Sequence, residues 1–164
     1  MRPATLAGRF WRIVLADDLP RVLAGVKSAE GRFHHSGQSA LYLSPSPEAA
    51  GHAVASYLKP GDPPRVVAPL RVINARVLDL RLESVQRPLG LTGAEAATPW
   101  QPQRARGLPA TTWLASDAVR TAGADGMIYT ARSDPTRWHL VLFRWNALCG
   151  AQVETDGPAT AYIG

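Results

Sequence analysis

The chain has 164 residues, 46% of them hydrophobic, and a formal charge of +5 at pH 7. That length supports one substantial core and is short for two, so a single domain over residues 1–164 is expected. The arginines are scattered from Arg2 to Arg144 and lysine occurs only at Lys27 and Lys59, so the charge forms no stripe that tracks a phosphate backbone, and direct nucleic-acid binding is not expected.

Cys149, the one cysteine, has no internal disulfide partner, and no paired-ligand spacing points to a metal. A reducing, cytoplasmic setting is expected. No apolar run approaches the roughly 20 residues of a membrane span. The N-terminal "MRPATLAGRFWRIVLADDL" has neither a long apolar core nor a small-residue cleavage site, so neither a membrane role nor a leader is expected.

In chain order, "FWRIVLA" (10–16) is a short β-branched and aromatic run that suits a first strand, and "ALYLS" (40–44) alternates as a second. The period changes at once in "SPSPEAAGHAVASYL". Here Ser46 caps a helix, Pro47 takes the first helical position where a missing N–H costs nothing, and Glu48 sits at the positive end of the dipole. That helix is expected to stop near Leu58, before "KPGDPP". "RVVAPLRVINARVLDLR" (65–81) is too rich in β-branched residues for a helix, and Pro69 interrupts it, so it forms either two strands joined near Pro69 or one long bent strand.

Residues 82–110, with "RPLGLTG" and "PWQPQRARGLP", read as a long irregular excursion with at most a helical turn. A second helix is expected at "TTWLASDAVRTAG", with Ala115, Val119 and Ala122 on one face and Gly123 closing it. The strands "GMIYTAR" and "WHLVLFRWN" follow, separated by the turn residues of "SDPTR". This order indicates an α+β domain, a single mixed unit with a largely antiparallel sheet.

With these elements placed, the run "GRFHHSGQSALYLSPSPEAA", followed by "AGADGMIYTARSDPTRWHLVLF", resembles the RES-domain family, toxin components of bacterial toxin–antitoxin pairs. In that family an arginine in a glycine-arginine-aromatic turn precedes a strand tyrosine by ten residues, and Arg32 to Tyr42 reproduces the interval. The resemblance implies a fold like that of the ADP-ribosyltransferase toxins and the use of NAD as co-substrate, with no metal. Cleaving the nicotinamide–ribose bond builds positive charge on the ribose, so a site must clamp the pyrophosphate, orient the ring and stabilise the cation. Arg32 suits the clamp, because a guanidinium presents a planar fork of donors to phosphate oxygens. Tyr42 suits the orienting role by stacking or hydrogen bonding.

The chain also departs from the family pattern. The family glutamate, eleven residues after the tyrosine, falls on Ala53. His52 is adjacent, but one helical step rotates a side chain by about 100°, so His52 joins the site only if the alignment shifts or the ring reaches around. The family serine falls on Ala131, Thr130 or Ser133 depending on the gap, and Thr130 and Ser133 keep a hydroxyl. The family's tryptophan-asparagine pair is here Phe33 and His34; His34 and His35 either take over polar contacts to NAD or stand exposed. The resemblance thus implies Arg32, Tyr42, His52 and Ser133 as catalytic residues, and Arg32, His34, Tyr42, Thr130 and Ser133 as NAD-binding residues.

Loss of the carboxylate argues for a slow enzyme that depends on a docked acceptor, hence a mono-ADP-ribosyltransferase acting on a cellular protein. The resemblance also implies a cognate antitoxin of the Xre-type helix-turn-helix class. The alternatives are an NAD glycohydrolase or phosphorylase that depletes cellular NAD, and a non-catalytic RES-like binding module.

Overall fold

The computed structural model describes residues 2–164. The element order is β1 (Ala4–Leu15), β2 (Leu41–Leu43), α1 (Pro47–Val54), β3 (Arg65–Asp79), α2 (Glu83–Gln86), α3 (Ala94–Ala97), α4 (Trp100–Ala105), α5 (Thr112–Thr121), β4 (Gly126–Thr130), β5 (Trp138–Leu142), β6 (Gln152–Thr155) and β7 (Thr160–Ala161). One sheet holds all seven strands, with the path β1-β3-β4-β5-β2 and with β6 and β7 also on β3. Pairing is antiparallel except between β3 and β4. The expected α+β class and largely antiparallel sheet are therefore found, with one parallel step. No helix among the described residues is long and apolar enough to cross a membrane.

β3 organises the sheet. One edge pairs with β1 from Arg65 to Val77, and the other is divided among β7 (Val66, Val67), β6 (Leu70–Ile73) and β4 (Val77–Asp79). Pro69 does not split the strand. Its nitrogen faces the gap between the β7 and β6 ladders, where no N–H is required, and its carbonyl accepts from Asp156 N at 2.9 Å. Of the two readings of 65–81, one long strand is correct. Residues 147–164, unassigned from the sequence, supply β6 and β7 on this second edge.

The first strand is longer than its apolar run, starting at Ala4, because β3 offers a full-length partner and a bulge between Leu6 and Gly8 absorbs the register shift. At the opposite end of the sheet the chain leaving β2 returns to β1. Trp11 N donates to Ser44 O at 2.8 Å and Ser44 N donates to Trp11 O at 3.0 Å, so the sheet curls towards closure.

Residues of opposite parity on β4 and β5 enter two cores. Ile128, Leu140 and Leu142 pack with Phe10, Leu70, Val72 and Val153, whereas Met127, Tyr129 and Val141 pack with Phe33, Ala115 and Val119 under α5. On α5 the buried stripe is Thr112, Ala115, Ser116 and Val119. Ala122 is exposed, because the helix ends at Thr121 before that position completes the face.

α1 starts as expected, with Ser46 Oγ accepting from Ala49 N at 3.0 Å and Pro47 at the first position. It ends at Val54, four residues before Leu58, and a 3-10 turn over Ala55–Tyr57 completes the segment. The excursion over 82–110 is more ordered than its composition indicated and holds three short α-helices and a 3-10 turn over Arg87–Leu89.

β4 begins against Asp125, which is fully buried. Its Oδ2 accepts from Arg76 N at 2.9 Å and its Oδ1 from Arg144 Nε at 3.0 Å, tying β3, β4 and the segment after β5 together. Replacing Asp125 by Ala leaves the Arg76 N–H buried without a partner and removes the counter-ion of Arg144. The expected cost is about 2–4 kcal/mol, read from the shift of the denaturant midpoint at constant slope.

Candidate functional site

The turn carrying Arg32 is held from outside. Gly31 N donates to His34 O at 2.8 Å, closing the turn, and the next three carbonyls all accept from α5 side chains. Gly31 O takes Trp113 Nε1 at 2.8 Å, Arg32 O takes the Thr112 hydroxyl, and Phe33 O takes Arg120 at 3.0 Å. A Cβ at Gly31 would lie 2.3 Å from His34 Cε1, so only glycine fits there. Beside the turn, Glu30 is gripped by both arms of Arg104 from α4, at 3.0 and 3.1 Å.

Arg32 is thereby aimed into a cavity of about 660 Å³, within the range of small-molecule sites. Its walls include β1 (Trp11, Arg12), the turn (Arg32, His34), β2 (Tyr42), α1 (His52, Ala53) and the late strands (Tyr129, His139). The guanidinium lies 4.8 Å from the Phe33 ring and 4.9 Å from the Tyr129 ring, and donates to Ala96 O of α3 at 2.8 Å. Among the described residues no carboxylate pairs with it, and its Nε is buried with no partner. Burial pulls its pKa below the ordinary arginine value. Arg12, held to Val22 O at 2.5 Å, is likewise lowered by burial, to about 10. Arg132 is a third arginine on the wall, and Glu30, already paired, is the only carboxylate there.

Tyr42 joins the turn to the sheet. Its hydroxyl accepts from Phe33 N at 2.9 Å, which leaves its own proton for His34 Nδ1 at 2.8 Å. That assigns the His34 proton to Nε2, 3.2 Å from Ser28 Oγ. Burial lowers the His34 pKa and raises the Tyr42 phenol, so both are neutral.

Of the residues singled out in the sequence, Arg32, His34, Tyr42, His52 and Ser133 line this one cavity, the last two from exposed positions. Thr130 does not line it. Strand alternation turns Tyr129 to the cavity and Thr130 away, with Ala131 next on the wall. His35 also lies elsewhere, stacked on Trp113 and paired with Asp117 at 2.8 Å.

Tyr129, His139 and Ser44 were not anticipated. The antiparallel register sets Tyr129 opposite His139, and Ser44, just beyond β2, reaches His139 Nδ1 at 2.9 Å. The sequence signal was parity. Tyr42 and Ser44 on one strand, and His139 and Val141 on another, share a face once the register is known. Burial pushes the Tyr129 phenol up to about 12 and, with Arg32 and Arg137 nearby, lowers His139 to about 4. Among the described residues no group of three or more His, Cys, Asp or Glu side chains is placed to hold a metal ion.

A mixed-sheet α+β domain with an arginine-lined cavity between the sheet and its helical cover thus defines the class. The RES-domain model matches residues 9–163, and the chain belongs to the RES-domain family. No curated protein matches its sequence. Among solved structures it is similar to a chain in the crystal structure of the M. tuberculosis MbcT–MbcA toxin–antitoxin complex. That match has a TM-score of 0.64 at 15% identity and covers 98% of this chain and 87% of the other. At that identity the likeness is one of fold.

The lowered His139 has a consequence for stability. The unfolded chain takes up this proton near 6.5 and the folded chain only near 4, so the unfolded state binds more protons between those values. Stability therefore falls as pH drops from 6.5 to about 4, and this group adds no further loss below that. Melting temperatures measured across the window are expected to decline in the wild type and to decline less steeply in His139→Gln, with the remaining slope including His34.

Proposed function

We propose that this RES-domain protein is the toxin of a toxin–antitoxin pair and that it depletes NAD, cleaving the nicotinamide–ribose bond with a small acceptor, phosphate or water. The observation that carries the reading is Arg32, a part-buried guanidinium with no counter-ion among the described residues, aimed into a cavity whose one described carboxylate is already paired. Such a site attracts an anion, and a dinucleotide's pyrophosphate matches the planar donor fork. The phenol of Tyr129 and the imidazole of His139, both neutral, suit the uncharged sugar beside it.

The choice of acceptor follows from what the wall lacks. A hydroxyl or amine side chain attacking the ribose must lose a proton, and Ala53 stands where the family carboxylate falls, leaving no unpaired carboxylate among the described lining residues to take it. Hydrogen phosphate needs no such base and is drawn by Arg12, Arg32 and Arg132. Its oxygen bonds to the ribose carbon as the C–N bond breaks, and the electron pair leaves on neutral nicotinamide. Water gives ADP-ribose instead, releasing its proton to solvent.

The likeness to a toxin–antitoxin complex supports an antitoxin partner for this chain. By the family resemblance it is an Xre-type helix-turn-helix protein, and the domain over 1–164 has the architecture of the ADP-ribosyltransferase toxins. In this reading Arg32 clamps, Tyr42 supports the turn and His52 and Ser133 stand at the cavity mouth.

The test is to incubate purified protein with adenylate-labelled NAD, phosphate and cell lysate. Label is expected in free ADP-ribose or its phosphate, with turnover reduced about 10²-fold or more in Arg32→Ala. Label fixed on one protein band would replace this reading with mono-ADP-ribosyl transfer. Intact NAD would leave the non-catalytic module.

A further inference from the structure

Resting on the NAD-cleaving reading, we infer that His139, oriented by Ser44, is a substrate-binding residue that hydrogen-bonds a hydroxyl of the nicotinamide-side ribose and so sets the specificity for a ribosyl substrate. The imidazole is 4% exposed, Nδ1 is anchored on Ser44 Oγ at 2.9 Å, and Nε2 has no partner among the described residues. Unlike Arg32 Nε, this nitrogen is not sealed in the protein, and the residue lies on the cavity wall. A buried polar atom left open to a cavity is satisfied by whatever fills it.

Position selects the ligand group. Tyr129 lies between the two functions, its ring 4.9 Å from the Arg32 guanidinium and 5.7 Å from the His139 ring. The imidazole and the anion clamp thus both lie against one aromatic ring on the same cavity wall, so a sugar joined to a clamped pyrophosphate is placed near Nε2. Charge selects it too, because Arg32, Arg137 and His52 around the ring disfavour a cation there. A neutral imidazole suits a neutral hydroxyl. Either the Ser44 hydroxyl donates to Nδ1 and leaves Nε2 a donor, or Nδ1 donates to Ser44 and leaves Nε2 an acceptor. A sugar hydroxyl, donor and acceptor at once, satisfies both.

The experiment compares kcat/KM for NAD and for analogues lacking either the 2- or the 3-hydroxyl of the nicotinamide-side ribose, in the wild type, His139→Phe and Ser44→Ala. Intrinsic differences in bond lability cancel when ratios are compared between variants. The wild-type preference for NAD over one analogue is expected to shrink about tenfold in His139→Phe, the worth of one hydrogen bond to a polar partner. In Ser44→Ala, which keeps the ring but frees it to turn, the same ratio shrinks by about threefold, and this variant serves if His139→Phe does not fold. Ratios unchanged in the folded variants overturn the inference while leaving NAD cleavage intact. A wild type that does not cleave NAD overturns both.

Discussion

The structure depends on the way α5 holds the turn before β2. Three successive carbonyls, Gly31, Arg32 and Phe33, would otherwise face a buried environment unpaired, and each receives a side-chain donor from Trp113, Thr112 or Arg120. The Phe33 N–H goes to Tyr42 instead. A segment without regular secondary structure thus has three successive carbonyls paired, and its conformation is set by residues about 80 positions away in the chain. Arg32 inherits that rigidity. Its side chain is placed by packing between Phe33 and Tyr129, so little ordering remains to be done when an anion arrives.

The electrostatic design follows from this placement. A part-buried guanidinium without a carboxylate is costly, and the chain compensates with ring faces and one carbonyl rather than a full counter-charge. Elsewhere in the fold the buried carboxylate of Asp125 is neutralised by Arg144. Arg12, on the same cavity wall, likewise has no carboxylate partner among the described residues, so the uncompensated positive charge gathers at this cavity. Around it the titratable groups are kept neutral by burial, at Tyr42, Tyr129, His34 and His139, which leaves the arginines to dominate the field in the cavity.

Much of this was legible in the sequence where the signal was local. The serine cap and proline start of α1, the β-branched runs, and the interval between Arg32 and Tyr42 all act over a few residues, and the structure brings both residues of that interval to one cavity. What was not legible depends on pairing between distant segments. Thr130 and Tyr129 differ only in parity, and a sequence gap placed one residue off exchanges the cavity face for the outer one. Ser44 and His139 carry no motif and meet only through the register of β2 with β5. Similarly, the second edge of β3 is covered by β6 and β7, two short strands with weak patterns of their own. Pro69 suggested a break because its tolerated position, a gap between two ladders, exists only in the assembled sheet.

The mouth of the cavity is exposed at His52, Tyr57 and Ser133, while its inner wall is built on the sheet. In the proposed function this cavity takes its ligand by the anion first, on a pre-positioned Arg32, with the sugar beyond it. A crystal structure of the chain with ADP-ribose bound tests this most directly. The pyrophosphate is expected on the Arg32 guanidinium and the distal ribose on the Tyr129 and His139 side. ADP-ribose bound outside the cavity, or inside it with the phosphates away from Arg32, would contradict it.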